Sequence, residues 1–278
     1  MPELPADLEE TIRRALDEDV GSGDVTTRVV VPEDAVSRGH LVARAPGVLA
    51  GLEVAARVFS QFGAIRWESA AEDGDRAESG TPLATLSGDA RILLTGERVA
   101  LNFLTHLSGI ATVTREYVEA CLGTESKILC TRKTLPGLRA LERYAVEVGG
   151  GVLHRVGLYD AILIKDNHVA IAGGVTEAVR RAHSGTQPSI EVEVDTLEQL
   201  KEAIDAGVDR ILLDNPDVEL VKRALDLIDG AGGPLPLEVS GGMTVERVRE
   251  MAPLGPLLFS VGRITHSAPA LDISLDVP

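Results

Sequence analysis

From residue 125 onward the sequence alternates between short apolar strands and amphipathic helices, and this alternation constrains the fold more than any other feature. The last four predicted strands are 190–194, 210–213, 237–239 and 258–261. They recur at intervals of about two dozen residues, the length of one strand–helix unit. Strict alternation predicts a parallel sheet covered by helices. Because the span is too short for eight units, and no P-loop or dinucleotide-binding glycine motif opens a helix, we expect an incomplete α/β barrel.

The first third of the chain has a different pattern. Apolar residues at helical spacing predict helices over 7–19 and 52–62. Residues 35–50 and 65–88 contain short extended segments separated by turn signals, which predicts antiparallel strands. Residues 28–31 are also predicted to be extended. We therefore expect a mixture of helices and short strands before the barrel.

Three further elements are predicted between these regions. A helical pattern runs over 89–121, and Ser108-Gly109 is expected to bend or break it. Pro136 suits the first turn of a helix that ends near Val148. Residues 127–130 and 161–164 are predicted to be the first two strands of the barrel.

The composition limits the class of protein. Apolar residues make up 44% of the chain but aromatic residues only 3%, which suits an aliphatic core of sheets covered by helices. The net charge of −16 argues against nucleic acid and anionic membranes as partners. No apolar stretch approaches ~18 residues, so no membrane span is expected. The acidic N-terminus is unlike a secretory signal, and we expect a cytoplasmic protein.

Polar residues and glycines follow the predicted strands at their carboxyl ends. In a parallel barrel these ends meet at one mouth, where ligands bind. Charged groups at such positions are costly to bury unless they are paired or used. The residues concerned are Thr131, Arg132, Lys133, Lys165, Glu193, Asp214, Ser240, Gly241, Gly242, Val261 and Gly262.

The cations of this region favour a small and strongly anionic ligand. Arg132 and Arg155 can each hold a carboxylate through two parallel N–H donors, and His154 can donate a hydrogen bond. Lys133 and Lys165 supply point charges. A ligand with two carboxylates and several phosphate groups would satisfy this set.

The acidic residues leave several roles open. Glu193 and Asp214 can act as general bases, as magnesium ligands or as partners of sugar hydroxyls. They can also form only structural salt bridges with Lys133 and Lys165. Backbone N–H groups for a phosphate are offered by the last two loops, Ser240-Gly241-Gly242 and Val261-Gly262-Arg263.

These motifs resemble those of the quinolinate phosphoribosyltransferase family over nearly the whole chain. The family joins quinolinate to phosphoribosyl pyrophosphate (PRPP), with magnesium, and yields nicotinate mononucleotide, pyrophosphate and carbon dioxide. The resemblance therefore implies an enzyme of NAD biosynthesis with Mg²⁺ as its cofactor. The segments that carry it include Thr131-Arg132-Lys133-Thr134, His154-Arg155, Leu163-Ile164-Lys165-Asp166-Asn167-His168, Glu191-Val192-Glu193, Leu213-Asp214-Asn215, Ser240-Gly241-Gly242 and Ser260-Val261-Gly262.

The resemblance also implies an architecture. We expect the type II phosphoribosyltransferase fold, with an N-terminal α/β sandwich over 1–105 and an incomplete parallel α/β barrel over 106–266. The C-terminal tail, 267–278, would join the sandwich. The family assembles as a homodimer or a hexamer with active sites shared across the dimer interface, so Arg98 would reach the quinolinate site of the partner subunit.

Roles for individual residues follow from the same resemblance. Quinolinate would be bound by Arg98, Thr131, Arg132, His154, Arg155 and Lys165. The catalytic residues around the ribose and pyrophosphate would be Lys133, Glu193 and Asp214, and Glu193 and Asp214 would hold Mg²⁺ directly or through pyrophosphate. The 5′-phosphate would be bound by Ser240, Gly241, Gly242, Val261, Gly262 and Arg263. The chain departs from the family pattern at Leu135, Leu153 and Arg263.

Two alternatives stay open at this point. One is a related phosphoribosyltransferase that uses another pyridine acid or base acid. The other is a homologue that binds or regulates without catalysis, against which Lys133, Lys165, Glu193 and Asp214 all argue by their presence.

Overall fold

The structure is a computed structural model that describes residues 2–185, 189–233 and 235–277. The chain forms two compact units. The first consists of Met1–Arg115, Thr134–Gly150 and Arg263–Pro278, and the second of Glu116–Lys133 and Gly151–Gly262. The domain bounds expected from the sequence stay a prediction, and the segment Thr134–Gly150 belongs to the first unit.

The first unit contains a four-stranded antiparallel sheet in the order β12–β1–β5–β3. Because successive side chains of a strand point to opposite faces, β1 buries Leu41 and Ala43 on one face. A second, two-stranded sheet pairs β2 with β4. These pairings confirm the predicted short antiparallel strands. The strands are β1 (Val36–Ala43), β2 (Gly47–Val48), β3 (Ile65–Ser69), β4 (Arg76–Ala77), β5 (Pro82–Asp89) and β12 (Ile273–Asp276).

Helices accompany this sheet, and one of them replaces a predicted extended run. Residues 28–31 were expected to be extended, but most of them belong to α2, so that prediction was wrong. Asp24 caps this helix, since its Oδ1 accepts a hydrogen bond from the Thr27 N–H at 2.9 Å. The helices are α1 (Leu8–Asp19), α2 (Val25–Val30), α3 (Leu52–Ser60), α4 (Ala90–Ala120), α5 (Arg139–Val148) and α11 (Arg263–His266).

Helix α4 continues through Ser108 and Gly109, so the predicted break there was wrong, while the predicted bend stays a prediction. The Ser108 hydroxyl accepts from the Ala50 N–H at 3.0 Å and donates to the Ala50 carbonyl at 3.2 Å. At Gly109 a Cβ would lie 2.1 Å from the Pro269 carbonyl oxygen. Both small residues therefore allow other segments of the first unit to approach α4 closely.

Pro136 lies before helix α5 and not in its first turn, which corrects a third expectation. The helix begins at Arg139. Gly137 has a φ of +82°, which a right-handed helix does not contain. The Leu138 N–H donates to the Leu135 carbonyl at 3.2 Å, so residues 135–138 form a turn.

The second unit is built on a six-stranded parallel sheet in the order β6–β11–β10–β9–β8–β7. Val152 forms an isolated parallel bridge with Leu129 on the other side of β6. Followed from β7 through β11 to β6 and Val152, the strands lie around the barrel in the cyclic order of the sequence. In the described part of the chain, no pairing joins Val152 to β7, so the barrel is not closed. This arrangement confirms an incomplete parallel barrel. The strands are β6 (Lys127–Leu129), β7 (Ile162–Ile164), β8 (Ile190–Val194), β9 (Arg210–Asp214), β10 (Leu237–Ser240) and β11 (Leu258–Ser260).

Helices alternate with these strands, as the sequence predicts, and each longer one buries an apolar stripe. Helix α8 buries Leu200 and Ala203, and α9 buries Val221, Ala224 and Ile228. Helix α6 was not predicted. The helices are α6 (Asp166–Ala172), α7 (Val175–Gly185), α8 (Leu197–Asp205), α9 (Val218–Gly230) and α10 (Val245–Met251).

Among the described residues, no helix combines the length and the apolar character that crossing a membrane requires.

Replacing Gly109 by alanine tests the packing of α4. The added methyl group would meet a carbonyl oxygen at 2.1 Å, so we expect a loss of unfolding free energy of about 1–3 kcal/mol, the usual cost of overpacking. The measurement is urea unfolding followed by circular dichroism. Gly230→Ala is the matched control, because nothing lies within 4 Å of its Cβ position. A G109A midpoint equal to that of the wild type would contradict the close contact.

Candidate active site

The carboxyl edge of the parallel sheet collects most of the predicted site residues of the second unit. Asp214 ends β9 and is in register with Ser240 at the end of β10, while Glu193 on β8 is in register with Leu212. Because all six strands are parallel, their last residues fall at the same edge. The residues at or just after these strand ends are Thr131, Arg132, Lys133, Lys165, Glu193, Asp214, Ser240, Gly241, Gly242, Val261 and Gly262.

Arg132 and Arg155 place two interacting cations beside this edge. The Arg132 Nε atom is buried and has no hydrogen-bond partner among the described residues. Burial lowers the pKa of Arg155, and the charge of Arg132 contributes to the same shift. A buried donor without an acceptor costs free energy, and a neighbouring like charge adds to that cost. An anion bound between these groups would relieve both.

His154 lies between two buried carboxylates in the interior of the sheet. Its Nε2 is 3.0 Å from Glu191 Oε2 on β8 and 3.1 Å from Glu238 Oε2 on β10. Ser260 Oγ donates to Glu238 Oε1 at 2.5 Å, and Arg210 Nη1 lies 3.5 Å from Glu238 Oε2. Burial disfavours the charged imidazole, but the hydrogen bonds and charges of the two glutamates outweigh it and raise the pKa of His154 to about 9.

The same three residues have the geometry of a metal-binding group. His154, Glu191 and Glu238 each offer a ligand atom, and these atoms lie within 4.8 Å of one another. His154 Nε2 already lies within hydrogen-bonding distance of both carboxylates, however, so the three groups compensate one another without an ion. The cluster is distinct from Glu193 and Asp214, which the sequence nominates for magnesium.

Lys165 and Glu193 form an ion pair at the edge of the sheet. Lys165 Nζ contacts Glu193 Oε2, which is one of the structural salt bridges that the sequence left open. The Lys165 side chain is 45% exposed and that of Glu193 only 11%. The Lys165 N–H donates to His168 Nδ1 at 2.9 Å, and this contact begins the unpredicted helix α6. The pair brings together one residue predicted to bind quinolinate and one predicted to face the ribose.

The loop after β10 exposes backbone donors. Gly241 and Gly242 have φ angles of +87° and +54°, a conformation that favours glycine. Within the described residues their N–H groups donate to no acceptor. Asp214, on the adjacent strand end, is exposed. The arrangement suits an anion that carries both phosphate and hydroxyl groups.

The other predicted residues have varied surroundings. Thr131 Oγ1 accepts from the Lys133 N–H at 3.1 Å and so fixes the turn after β6. The Val261 N–H donates to the Leu129 carbonyl at 3.2 Å, so it is already used within the sheet. Arg98 on α4 and Arg263 at the start of α11 are exposed residues of the first unit.

Sequence reasoning missed three members of the His154 cluster. Glu238, Arg210 and Ser260 were given no role, although Glu238 stands between Leu237 and Val239, which are both buried in the same strand. A charged residue in the middle of such a strand requires a partner. That partner, His154, is distant in the chain, so the local sequence does not identify it.

The elevated pKa of His154 can be measured directly. We expect its imidazole to titrate with a pKa of about 9 and Glu238→Gln to lower this pKa, since one hydrogen-bonding carboxylate is lost. The measurement is a pH titration of the His154 ring resonances by NMR. Because the folded-state pKa is raised above the ordinary histidine value of 6.5, the stabilisation is complete below pH 6.5 and is lost as the pH rises through about 9.

His168, whose ring caps α6 at the surface, serves as a resonance control for this titration. A His154 pKa that is the same in the wild type and in E238Q would contradict the role of Glu238.

Comparison with known proteins adds independent support. The family model described as "Quinolinate phosphoribosyl transferase, N-terminal domain" matches residues 24–108, and the corresponding C-terminal domain model matches residues 110–276. The chain is 48% identical over 273 residues to nicotinate-nucleotide pyrophosphorylase [carboxylating] of Mycobacterium leprae, covering 96% of each chain. It is 43% identical to a probable nicotinate-nucleotide pyrophosphorylase [carboxylating] of Bacillus subtilis, covering 94% of this chain and 90% of the relative.

A solved structure agrees with these matches. The crystal structure of NadC from Streptococcus pyogenes superposes with a TM-score of 0.94 at 42% identity, covering 100% of this chain and 99% of the other. The two domain models, the curated relatives and the solved structure thus all indicate the same family. The chain belongs to the quinolinate phosphoribosyltransferase family.

Proposed function

We propose that the carboxyl edge of the parallel sheet is the active site at which this enzyme transfers a phosphoribosyl group. The enzyme joins quinolinate to PRPP and yields nicotinate mononucleotide, pyrophosphate and carbon dioxide, a reaction of NAD biosynthesis. The observation that carries the assignment of the site is the buried and unpartnered Nε of Arg132 beside the charge of Arg155. The Arg132 Nε donor lacks an acceptor among the described residues, and quinolinate is a dianion that supplies carboxylate acceptors.

Quinolinate recognition is assigned to the cations around this pair. Arg132 and Arg155 each suit a carboxylate, because a guanidinium offers parallel donors. His154 is held in place by Glu191 and Glu238, and Lys165 directly follows β7. Thr131 belongs to the same group through the turn that it fixes. A monocarboxylate such as nicotinate would leave part of this set uncompensated, which favours quinolinate over the related acids.

The transfer step requires positioning more than acid–base catalysis. The pyridine nitrogen attacks the anomeric carbon as pyrophosphate leaves, and positive charge develops on the ribose. We assign the stabilisation of this charge to the Glu193 and Asp214 carboxylates and the stabilisation of the leaving group to Lys133. After N-ribosylation the 2-carboxylate leaves as carbon dioxide. The electron pair it leaves behind lies next to the cationic nitrogen, and a proton then takes its place.

Magnesium is assigned to the same pair of carboxylates. Asp214 is exposed at the end of β9, and Glu193 lies at the end of the adjacent β8. Carboxylate oxygens are the donors that Mg²⁺ prefers, so these residues fit the ion. When bound, magnesium neutralises charge on the pyrophosphate.

The 5′-phosphate is assigned to the loops after β10 and β11. The unused N–H groups of Gly241 and Gly242 support this assignment, because an anion needs donors that no protein acceptor occupies. The remaining members of the set are Ser240, Val261, Gly262 and Arg263.

We also propose a homodimer with shared active sites, either alone or as the building block of a hexamer. Arg98 is exposed on α4 and would complete the quinolinate site of the partner subunit. Large apolar side chains near the N-terminus support an interface, since Val29, Val30 and Val36 are 79%, 71% and 79% exposed. We place the enzyme in the cytoplasm, where the buried thiols of Cys121 and Cys130 stay reduced.

The reaction and the role of Arg132 can be tested in one assay. Carboxyl-labelled quinolinate, PRPP and Mg²⁺ should yield labelled carbon dioxide with the wild-type enzyme. Arg132→Ala should raise KM for quinolinate about ten- to a hundredfold, the value of one charge-assisted hydrogen bond or two, with KM for PRPP nearly unchanged. Arg223→Ala, at an exposed position of α9, is the control. Wild-type protein that releases no carbon dioxide would refute the function, and an unchanged KM in R132A would refute only the site assignment.

Sharing of the active site predicts complementation between two inactive variants. Each shared site would combine Asp214 of one subunit with Arg98 of the other. In a mixed dimer of the variants Arg98→Ala and Asp214→Ala, one site therefore carries both changes and the other carries neither. Random exchange should therefore restore roughly one quarter of the wild-type activity. Exchange of subunits without any recovery would show that Arg98 acts within its own subunit or not at all.

A further inference from the structure

The side chain of Arg247 joins two loops that the proposed function assigns to the sugar phosphate. Arg247 lies in α10 and contacts the loops after β9 and β10. Its Nη2 donates to the Pro216 carbonyl at 2.7 Å, and its Nη1 is 3.1 Å from Asn215 Oδ1. Nη1 also lies 3.1 Å from the Gly241 carbonyl and 3.4 Å from that of Gly242. One guanidinium therefore contacts four acceptors on two separate chain segments.

The two loops approach each other with little room to spare. The Asn215 N–H donates to the Ser240 carbonyl at 2.7 Å, and a Cβ on Gly241 would lie 2.7 Å from the Asn215 nitrogen. Asn215 has a φ of +49° and is the only non-glycine residue of the described chain with a positive φ. Such a backbone conformation costs free energy and persists only where its surroundings hold it. The contact with Arg247 provides that restraint.

The hydrogen bonds of Arg247 also fix the direction of a backbone donor. In a trans peptide the C=O of one residue and the N–H of the next point in opposite directions. The Gly241 carbonyl points to Arg247, so the Gly242 N–H points away from it. That N–H donates to no acceptor within the described part of the chain. Arg247 thus contacts one side of the loop, and the Gly242 N–H points to the opposite side.

The same contacts constrain the other loop. Asp214 immediately precedes Asn215 and Pro216. The Asn215 side chain and the Pro216 carbonyl both contact Arg247. A shift of this loop would move the Asp214 carboxylate relative to Gly242. Nη1 contacts both loops and Nη2 adds the bond to the Pro216 carbonyl, whereas a lysine ammonium has a single nitrogen and cannot make both sets of contacts.

We propose that Arg247 is a positioning residue that holds the β9 and β10 loops together, so that Asp214 and the Gly242 N–H face the same phosphorylated sugar. It contacts the protein and not the substrate. This inference rests on the proposed assignment of these loops to PRPP. It adds to that assignment the residue on which their mutual geometry depends.

Arg247→Met and Arg247→Lys test the proposal through a difference between two Michaelis constants. Both variants should raise KM for PRPP about tenfold or more, because a displaced binding group loses its alignment. KM for quinolinate should stay within about twofold of the wild-type value, since uncoupled sites act independently. R247K keeps the charge but loses the planar fork, so it should resemble R247M. Wild-type PRPP affinity in R247K would overturn the proposal.

Two controls separate positioning from loss of fold and from failure of the proposed function. Arg249→Met removes an exposed arginine from the same helix and should leave both constants unchanged. Asn215→Gly keeps the left-handed backbone but deletes one contact, and it should raise KM for PRPP less than R247M does. If N215G and R247M have effects that multiply fully in the double variant, the two residues do not act together and the proposal fails.

Binding of PRPP measured by calorimetry gives a readout without turnover. If the wild-type enzyme released no carbon dioxide, the proposed reaction would fail, yet weaker PRPP binding in R247M than in R249M would still support the role of Arg247. If the wild type turns over and R247M binds PRPP like R249M, the role of Arg247 is refuted and the reaction stands.

Discussion

Two carboxylates inside the sheet determine how the second unit can be assembled. Glu191 is 5% exposed and Glu238 only 2%, and removing a carboxylate from water costs several kcal/mol unless a partner compensates it. The compensation comes from His154, Arg210 and Ser260, which belong to different parts of the chain. A slip of one residue in β10 would turn Glu238 to the opposite face of the strand. The parallel register and the charge cluster therefore depend on each other.

The proposed function requires an acidic protein to bind a dianion. The chain has a net charge of −16, yet Arg132 and Arg155 interact at the edge of the sheet, next to the His154 cluster. Local field within a cleft, and not the total charge, decides which ion binds there. The proposed site relies on the interacting charges of Arg132 and Arg155, which are present before any ligand binds. Preorganised charge of this kind requires no rearrangement when the substrate arrives.

The sequence predicts those features that depend on local pattern. The alternation after residue 125 was sufficient for the parallel sheet, and strand ends located Arg132, Lys165, Glu193 and Asp214 at its carboxyl edge. Predictions failed where a distant segment decides the local structure. In the sequence Gly109 suggests a helix break, and only the structure shows that its small size admits the backbone of Pro269. In the sequence Glu238 is an isolated charge, and only the structure shows that His154 lies beside it. The Asp24 cap was a local signal for α2 that the apolar run of valines obscured. Arg247 contacts residues 31 and 32 positions away, so its role is visible only in three dimensions.

The pairing of β12 with β1 has a consequence for the order in which the molecule is made. β12 spans Ile273–Asp276, close to the end of the chain, whereas its partner lies within the first fifty residues. During synthesis the ribosome completes Gly151–Gly262 before this last strand emerges. Until β12 is made, the sheet of β1, β5 and β3 has β1 as an unpaired edge strand. An unpaired edge strand can pair with strands of other chains and promote aggregation. Although it is translated first, the N-terminal unit is the last to be finished.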